Sequence, residues 1–195
     1  MTDLIDTLAS IVPGSALDAA RARRPAARTH AEASYQSLLL PAEPGDVSIA
    51  ERFAVAAYVT GLHRAEATHP HYAAGLAQHG GTALVKAVAL AVVETLAEGP
   101  KGHFPPGPLN AEDTPAPTFA LSAPVAAALG KRLEAAFAHA HFLVFHPRDA
   151  AADRFRPLAE AGWTTDAIVT LSQLVSFLAF QIRVVAGLRV LAATP

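Results

Sequence analysis

Four residues between positions 51 and 71 have side chains suited to proton transfer: Glu51, His63, Glu66 and His71. Glu66 lies three residues after His63, a spacing that lets a carboxylate face an imidazole on a helix, orient the ring and raise its basicity. The same spacing also describes an exposed pair contributing only a few tenths of a kcal/mol. Glu51 precedes His63 by twelve residues, so an unbroken helix would hold their backbones about 18 Å apart at ~1.5 Å per residue. The two can cooperate only if the chain turns between them. Thr60-Gly61 and Thr68-His69-Pro70 are the places for a turn, because Gly weakens a helix, Thr caps a new one and Pro suits its first turn.

A second polar set lies in TTDAIVTLSQLVSFLAFQIRVVAGLRVLAA near the carboxyl end. Ser172, Ser176 and Arg183 recur at multiples of about 3.6 and share one helix face, with Gln173 beside them and Gln181 elsewhere on the circumference. They are candidate polar residues for a pocket. An unpaired buried arginine costs about 3–5 kcal/mol, so Arg183 must meet an acid in this chain or a neighbouring subunit, or reach water or a ligand. The pairs His69/His71 and His139/His141 stand two apart, which points their rings to different sides of a helix and prevents chelation from one helix in the i,i+4 manner. No metal and no cofactor is expected from these spacings.

The composition closes several chemistries. The chain has no cysteine and its only methionine is Met1. Disulfides, thiolate nucleophiles, cysteine-ligated metals and thiol peroxidase cycles all need a sulfur that is missing. A net charge of −2 leaves no basic footprint for nucleic acid. The densest basic run, Arg21, Arg23, Arg24 and Arg28, reads as a solvated helix face. MTDLIDTLASIVPG carries acids where a signal peptide needs bases, and the nearly uncharged stretch from Ala167 to Ile182 is shorter than the ~20 residues that cross a bilayer. A cytoplasmic protein without a membrane span is expected.

With 52% hydrophobic residues, many of them alanine, an all-α fold is expected, and 195 residues suffice for one domain. Residues 1–47 read as N-terminal packing helices and 48–195 as the core. Helical spacing recurs through Leu4, Leu8 and Ile11 and through Ala31, Tyr35, Leu38 and Leu39. Ser48 followed by Glu51 is a capping-box pattern, which gives Glu51 a structural role as well. Further helices are expected from about Gly81 to Glu98, Pro124 to Phe145, Ala150 to Glu160 and Thr164 or Thr165 to Leu191. The proline and glycine density of GPKGHFPPGPLNAEDTPAP makes 99–117 a long loop. The last helix is apolar nearly all round and should be buried centrally or in a subunit interface.

The segments ERFAVAAYVTGLHRAEATHPHYAAGLAQHGG, FPPGPLNAEDTPAP and AGWTTDAIVTLSQLVSFLAFQIRVVAGLRVL resemble the carboxymuconolactone decarboxylase superfamily, the all-α group that includes the AhpD alkylhydroperoxidases. The resemblance implies an AhpD-like helical bundle, association as a homotrimer or hexamer, a link to antioxidant defence and, as a partner, a related alkylhydroperoxidase-domain protein. The redox-active members carry a Glu followed by C-x-x-C-x-x-x-H. Glu51 matches the Glu. At fixed spacing the cysteines fall on His63 and Glu66 and the histidine on Pro70; matching His71 instead puts the cysteines on Arg64 and Ala67. Neither register restores a thiol, so the resemblance implies a fold without its dithiol mechanism. Two functions are left open: a non-redox binding or accessory protein, or a His/Glu acid–base enzyme of the decarboxylase type acting on a small organic acid or lactone.

Overall fold

The computed structural model describes residues 3–193, and every regular element among them is a helix. The chain runs through α1 (Leu4–Leu8), α2 (Ala16–Ala22), α3 (Pro25–Leu39), α4 (Ile49–Leu62), α5 (His69–Thr95), α6 (Ala123–Phe145), α7 (Arg156–Glu160) and α8 (Thr165–Ala193). Short 3-10 turns occupy Pro108–Glu112, Pro147–Asp149 and Ala152–Phe155.

The bundle is built around α4. Its sequence is apolar on every side, and ten of its 14 residues are buried. Helices α5, α6 and α8 pack against it, and Tyr58 stacks on Phe137 of α6 with ring centroids 4.1 Å apart. The capping box forms as expected, with the Ser48 hydroxyl accepting from the Glu51 N–H while the Glu51 carboxylate accepts from the Ser48 N–H. Gly61 stays helical inside α4, so the chain turns only afterwards, through Arg64 at φ 50, and α5 opens at His69-Pro70.

Gly81 breaks α5 with φ 75 and ψ 167, a backbone conformation that favours glycine, and the segment after it begins where the sequence predicts a helix. A second break, at Gly130 in α6, has no counterpart in the sequence reading. Gly75 is needed for contact: a methyl group there would sit 2.2 Å from the Phe53 ring. By length and composition two helices could cross a membrane, α5 and α8, with only 22% and 33% of the apolar window buried. The break at Gly81 divides α5 into 69–80 and 82–95, each shorter than the ~20 residues a span requires.

The N-terminal helices dock on the later half of α8 through a small second core of Ile5, Ala9, Ala31 and Val185. The basic run beside them departs from the expected solvated face. Arg23 and Arg24 are exposed, but Arg21 turns onto Asp3 (2.6 Å) and Asp6 (2.9 Å), and Arg28 onto Asp6 (2.9 Å) and Asp18 (2.6 Å). Asp3 and Asp6 are buried, so their charges need these guanidinium partners.

The loop over 99–117 is pinned to the end of α6. The Asp149 carboxylate accepts from the His103 backbone N–H at 2.8 Å, Lys101 N–H donates to the Phe145 carbonyl at 2.6 Å, and the Arg148 guanidinium lies 4.1 Å above the Phe104 ring. The His103 N–H contact is the main reason the Asp149 carboxyl is held below its usual range.

Arg52 ties the 38–47 connection to α4. It is buried at the start of α4, and its guanidinium donates to the carbonyls of Val47, Leu38 and Pro44 at 2.8, 2.7 and 2.9 Å. Arg52→Met keeps the stem and strands these carbonyls. It should cost about 3 kcal/mol or more in urea unfolding; a loss below about 1 kcal/mol would show that the 38–47 connection does not depend on this residue.

Candidate functional site

Glu51 and His63 are held at opposite ends of α4. Besides capping the helix, Glu51 accepts from the Arg132 Nε at 2.6 Å and from the Ser48 hydroxyl at 2.8 Å. Arg132 also donates to the carbonyls of Gly162 and Asp46 and lies 3.7 Å above the Trp163 ring. Glu51 is thus one corner of a clamp joining the start of α4, α6 and the turn into α8. It is not a free base.

His63 forms the C-cap of α4 and lines a cleft of about 440 Å³ with Arg64, Glu98, Gly99, Pro100 and Arg183. Its Nε2 is buried without a hydrogen-bond partner. Burial, and then the charge of Arg183, push its pKa down, so the ring is neutral at pH 7. Arg183 itself is exposed, reaches water and donates to the Ala179 carbonyl one turn back at 2.7 Å. Glu66 is exposed and does not meet His63 in a hydrogen bond or ion pair, although the spacing allows it. His71 belongs to a different neighbourhood: its Nε2 contacts the Tyr35 hydroxyl at 3.0 Å, its ring meets the Tyr72 ring edge-on, and burial lowers its pKa. Glu51, His63, Glu66 and His71 therefore do not converge.

The second polar set divides as well. Ser172, Gln173 and Ser176 line a broad groove of about 1410 Å³ running between α3, α7 and α8, whereas Arg183 lies in the His63 cleft. Ser34 and Ser37 of α3 face them across the groove, and Ile168, Val169, Phe177 and Phe180 supply apolar wall. Asp153 and Arg156 put one charge of each sign on the α7 side. Val169 and Phe180 are 50% and 51% exposed, which is unusual for side chains of that size clustered on one helix.

A buried histidine stands behind that groove, and the sequence reading did not single it out as a site residue. The Ser172 hydroxyl donates to the Ile168 carbonyl at 2.9 Å, so His139, with Nε2 2.9 Å from the same oxygen, is the donor there. A histidine on the apolar stripe of LEAAFAHAHFLVF was the available signal. His141 reaches the Thr95 carbonyl at 3.1 Å, and its ring centroid is 6.1 Å from that of His146. His146 Nδ1 is 3.4 Å from Asp149 Oδ2, close enough to feel the carboxylate but too poorly aligned to count as a hydrogen bond. Among the described residues no group of three His, Asp or Glu stands in a geometry that would hold a metal ion.

The buried histidines of α6 make stability depend on pH. Burial pushes His139 down to about 4, and burial with the neighbouring His146 does the same for His141 against the opposing pull of the Thr95 carbonyl. An unfolded chain takes up the same protons near 6.5. Stability is therefore complete above that pH and falls between about 6.5 and about 4, by at most about 1.4 kcal/mol per pH unit for each ring. His139→Gln should flatten the slope of unfolding free energy between about pH 6.5 and about pH 5; an unchanged slope would mean that His139 titrates as if exposed.

No family model matches this chain, and neither the curated proteins nor the solved structures contain a match to it.

Proposed function

We propose that this chain is a non-redox binding or accessory protein on an AhpD-like, carboxymuconolactone-decarboxylase-type helical bundle. In this reading it works in the cytoplasm as a homo-oligomer, a trimer or hexamer, and serves a redox-competent alkylhydroperoxidase-domain relative instead of reducing hydroperoxides itself. The observation that carries the reading is the position of Glu51. It is bound to Arg132 and Ser48, at the far end of α4 from His63, so the proton relay of the redox-active motif has neither its thiols nor a free carboxylate. What remains exposed for recognition is the groove between α3, α7 and α8, with serines and Gln173 among apolar side chains. A lining that is mostly apolar and neutral polar, with one charge of each sign at the α7 side, suits association better than catalysis.

One observation favours a second reading. His63, neutral at pH 7 and lacking a protein partner at Nε2, shares its cleft with Arg183. A neutral imidazole beside a guanidinium could move a proton on a small organic acid or lactone held by its carboxylate. Glu51 and Glu66 would play no part in that chemistry.

Two measurements separate these readings. The purified protein should show no turnover of an organic hydroperoxide with a dithiol donor, and no turnover of small lactones or unsaturated organic acids above that of His63→Gln. Light scattering should give a multiple of the monomer mass that Phe180→Glu, at the groove wall, lowers. Lactone turnover lost in His63→Gln would establish the enzyme reading, and a monomer mass in the unaltered protein would overturn the oligomeric one.

A further inference from the structure

Both halves of α5 lie on α4, and between them is a cleft of about 280 Å³. Its walls are Ala57 from α4, Ala73 and Leu76 from the first half of α5, and Val88, Ala89 and Val92 from the second. One polar side chain lines it, His69 in the first turn of α5. The hydrogen bonds around His69 determine which ring nitrogen carries its proton. Thr60, inside α4, donates its hydroxyl hydrogen to the Ala56 carbonyl at 2.8 Å. That leaves the Thr60 oxygen only as an acceptor toward His69 Nδ1, 3.1 Å away, so Nδ1 carries the hydrogen. The lone pair is then on Nε2, at the other edge of the ring, and none of the described residues donates a hydrogen bond to it.

We propose that this cleft binds a small apolar molecule bearing a single hydroxyl, an alcohol or a phenol, which donates its hydrogen to His69 Nε2. The volume lies just under the usual range for ligand pockets, which limits the occupant to one ring or a short chain. The alanine-lined walls accept apolar bulk, and the one acceptor chooses a donor. A protonated amine would meet no carboxylate among the lining residues, and an anion would meet no cation there. A site that hydrogen-bonds a ligand hydroxyl discriminates against the analogue without it, because an occupant that covers the half-buried acceptor takes it from water and leaves it unpaired. The inference is independent of the groove and of the His63 cleft, since it uses different helices and different side chains.

The test titrates phenol and toluene separately into the full-length protein and follows side-chain and backbone nuclear magnetic resonance shifts. Phenol should bind saturably, shift His69 Nε2 together with the amides of Ala73 and Ala89, and bind at least about tenfold more tightly than toluene. Long-range proton–nitrogen spectra of the ligand-free protein should show His69 as the Nδ1–H tautomer. Ala73→Leu and Ala89→Leu each fill the cleft and should abolish phenol binding, while His69→Phe should bring the two ligands to similar affinity. The proposal is overturned by equal affinities in the unaltered protein, by a proton on Nε2, by phenol shifts elsewhere in the bundle, or by binding that survives both leucine variants. The tautomer and the affinity ratio need no variant, so a substitution that fails to fold leaves the proposal open to refutation.

Discussion

The structure depends on α4 being buried without interruption from Arg52 to Thr60. A helix surrounded by protein cannot leave a polar group to water, so every such group on it must find its partner within reach. The three that matter do so in different ways. Arg52 turns back onto three carbonyls of the preceding connection, Glu51 closes its own helix and binds Arg132, and Thr60 bonds to the turn before it while receiving His69. Each arrangement ties a neighbouring segment to the central helix: the 38–47 connection, the α6 and α8 corner, and the start of α5. These contacts decide where the surrounding helices sit, and they also commit the residues that make them. The Glu51 carboxylate, engaged both in capping and in a 2.6 Å guanidinium contact, has both oxygens committed to groups of its own chain.

The same reasoning explains the state of the histidines. Five of them, at 63, 71, 139, 141 and 146, have pKa values lowered with burial as the largest cause. Desolvation penalises a cation, and few of these rings have a carboxylate close enough to compensate. Neutral imidazoles in an apolar bundle act as hydrogen-bonding side chains of aromatic size: His139 holds Ser172 at the α6–α8 contact and His141 holds the end of α5. Among the described residues, only the pair around Asp149 combines imidazole and carboxylate. There the carboxylate is occupied with the 99–117 loop, which it anchors through His103.

Much of the fold was readable in the residues because the signals were local. Capping at Ser48, the break before Pro70, the helix start at Gly81 and the Pro/Gly-rich loop each follow from the conformational preference of one or two residues. Gly130 was not readable in this way. Nothing in VAAALGKRLEAA distinguishes a glycine tolerated inside a helix from one that interrupts it, and that choice belongs to tertiary packing. The site was much less legible. Spacing alone allowed Glu66 to face His63, but the chain leaves α4 at His63 and passes through Arg64 at φ 50, so the two never share a helix face. Likewise Ser172, Ser176 and Arg183 share a side of α8, yet that helix is 29 residues long and passes two different sets of neighbours. Periodicity places residues around a helix axis; it does not say what lies beside each turn.

Two helices apolar enough to be fully enclosed are only partly covered by the rest of the chain. Val93 of α5 is 75% exposed, and Val169, Phe180 and Leu191 of α8 are at least half exposed. Apolar area of this extent gains by leaving water, at about 25 cal/mol per Å². On α8 the exposed apolar residues alternate with Ser172, Gln173, Ser176 and Arg183, which would carry a desolvation cost in a hydrocarbon interior. A protein surface can meet both kinds of group, since an interface joins an apolar centre to a hydrogen-bonding and hydrated rim. Lipid can meet only the first. The polarity of the α8 face thus supports the proposed protein neighbour, and the residues that make the distinction are the pocket candidates of the sequence, of which Ser172, Gln173 and Ser176 share the groove and Arg183 does not.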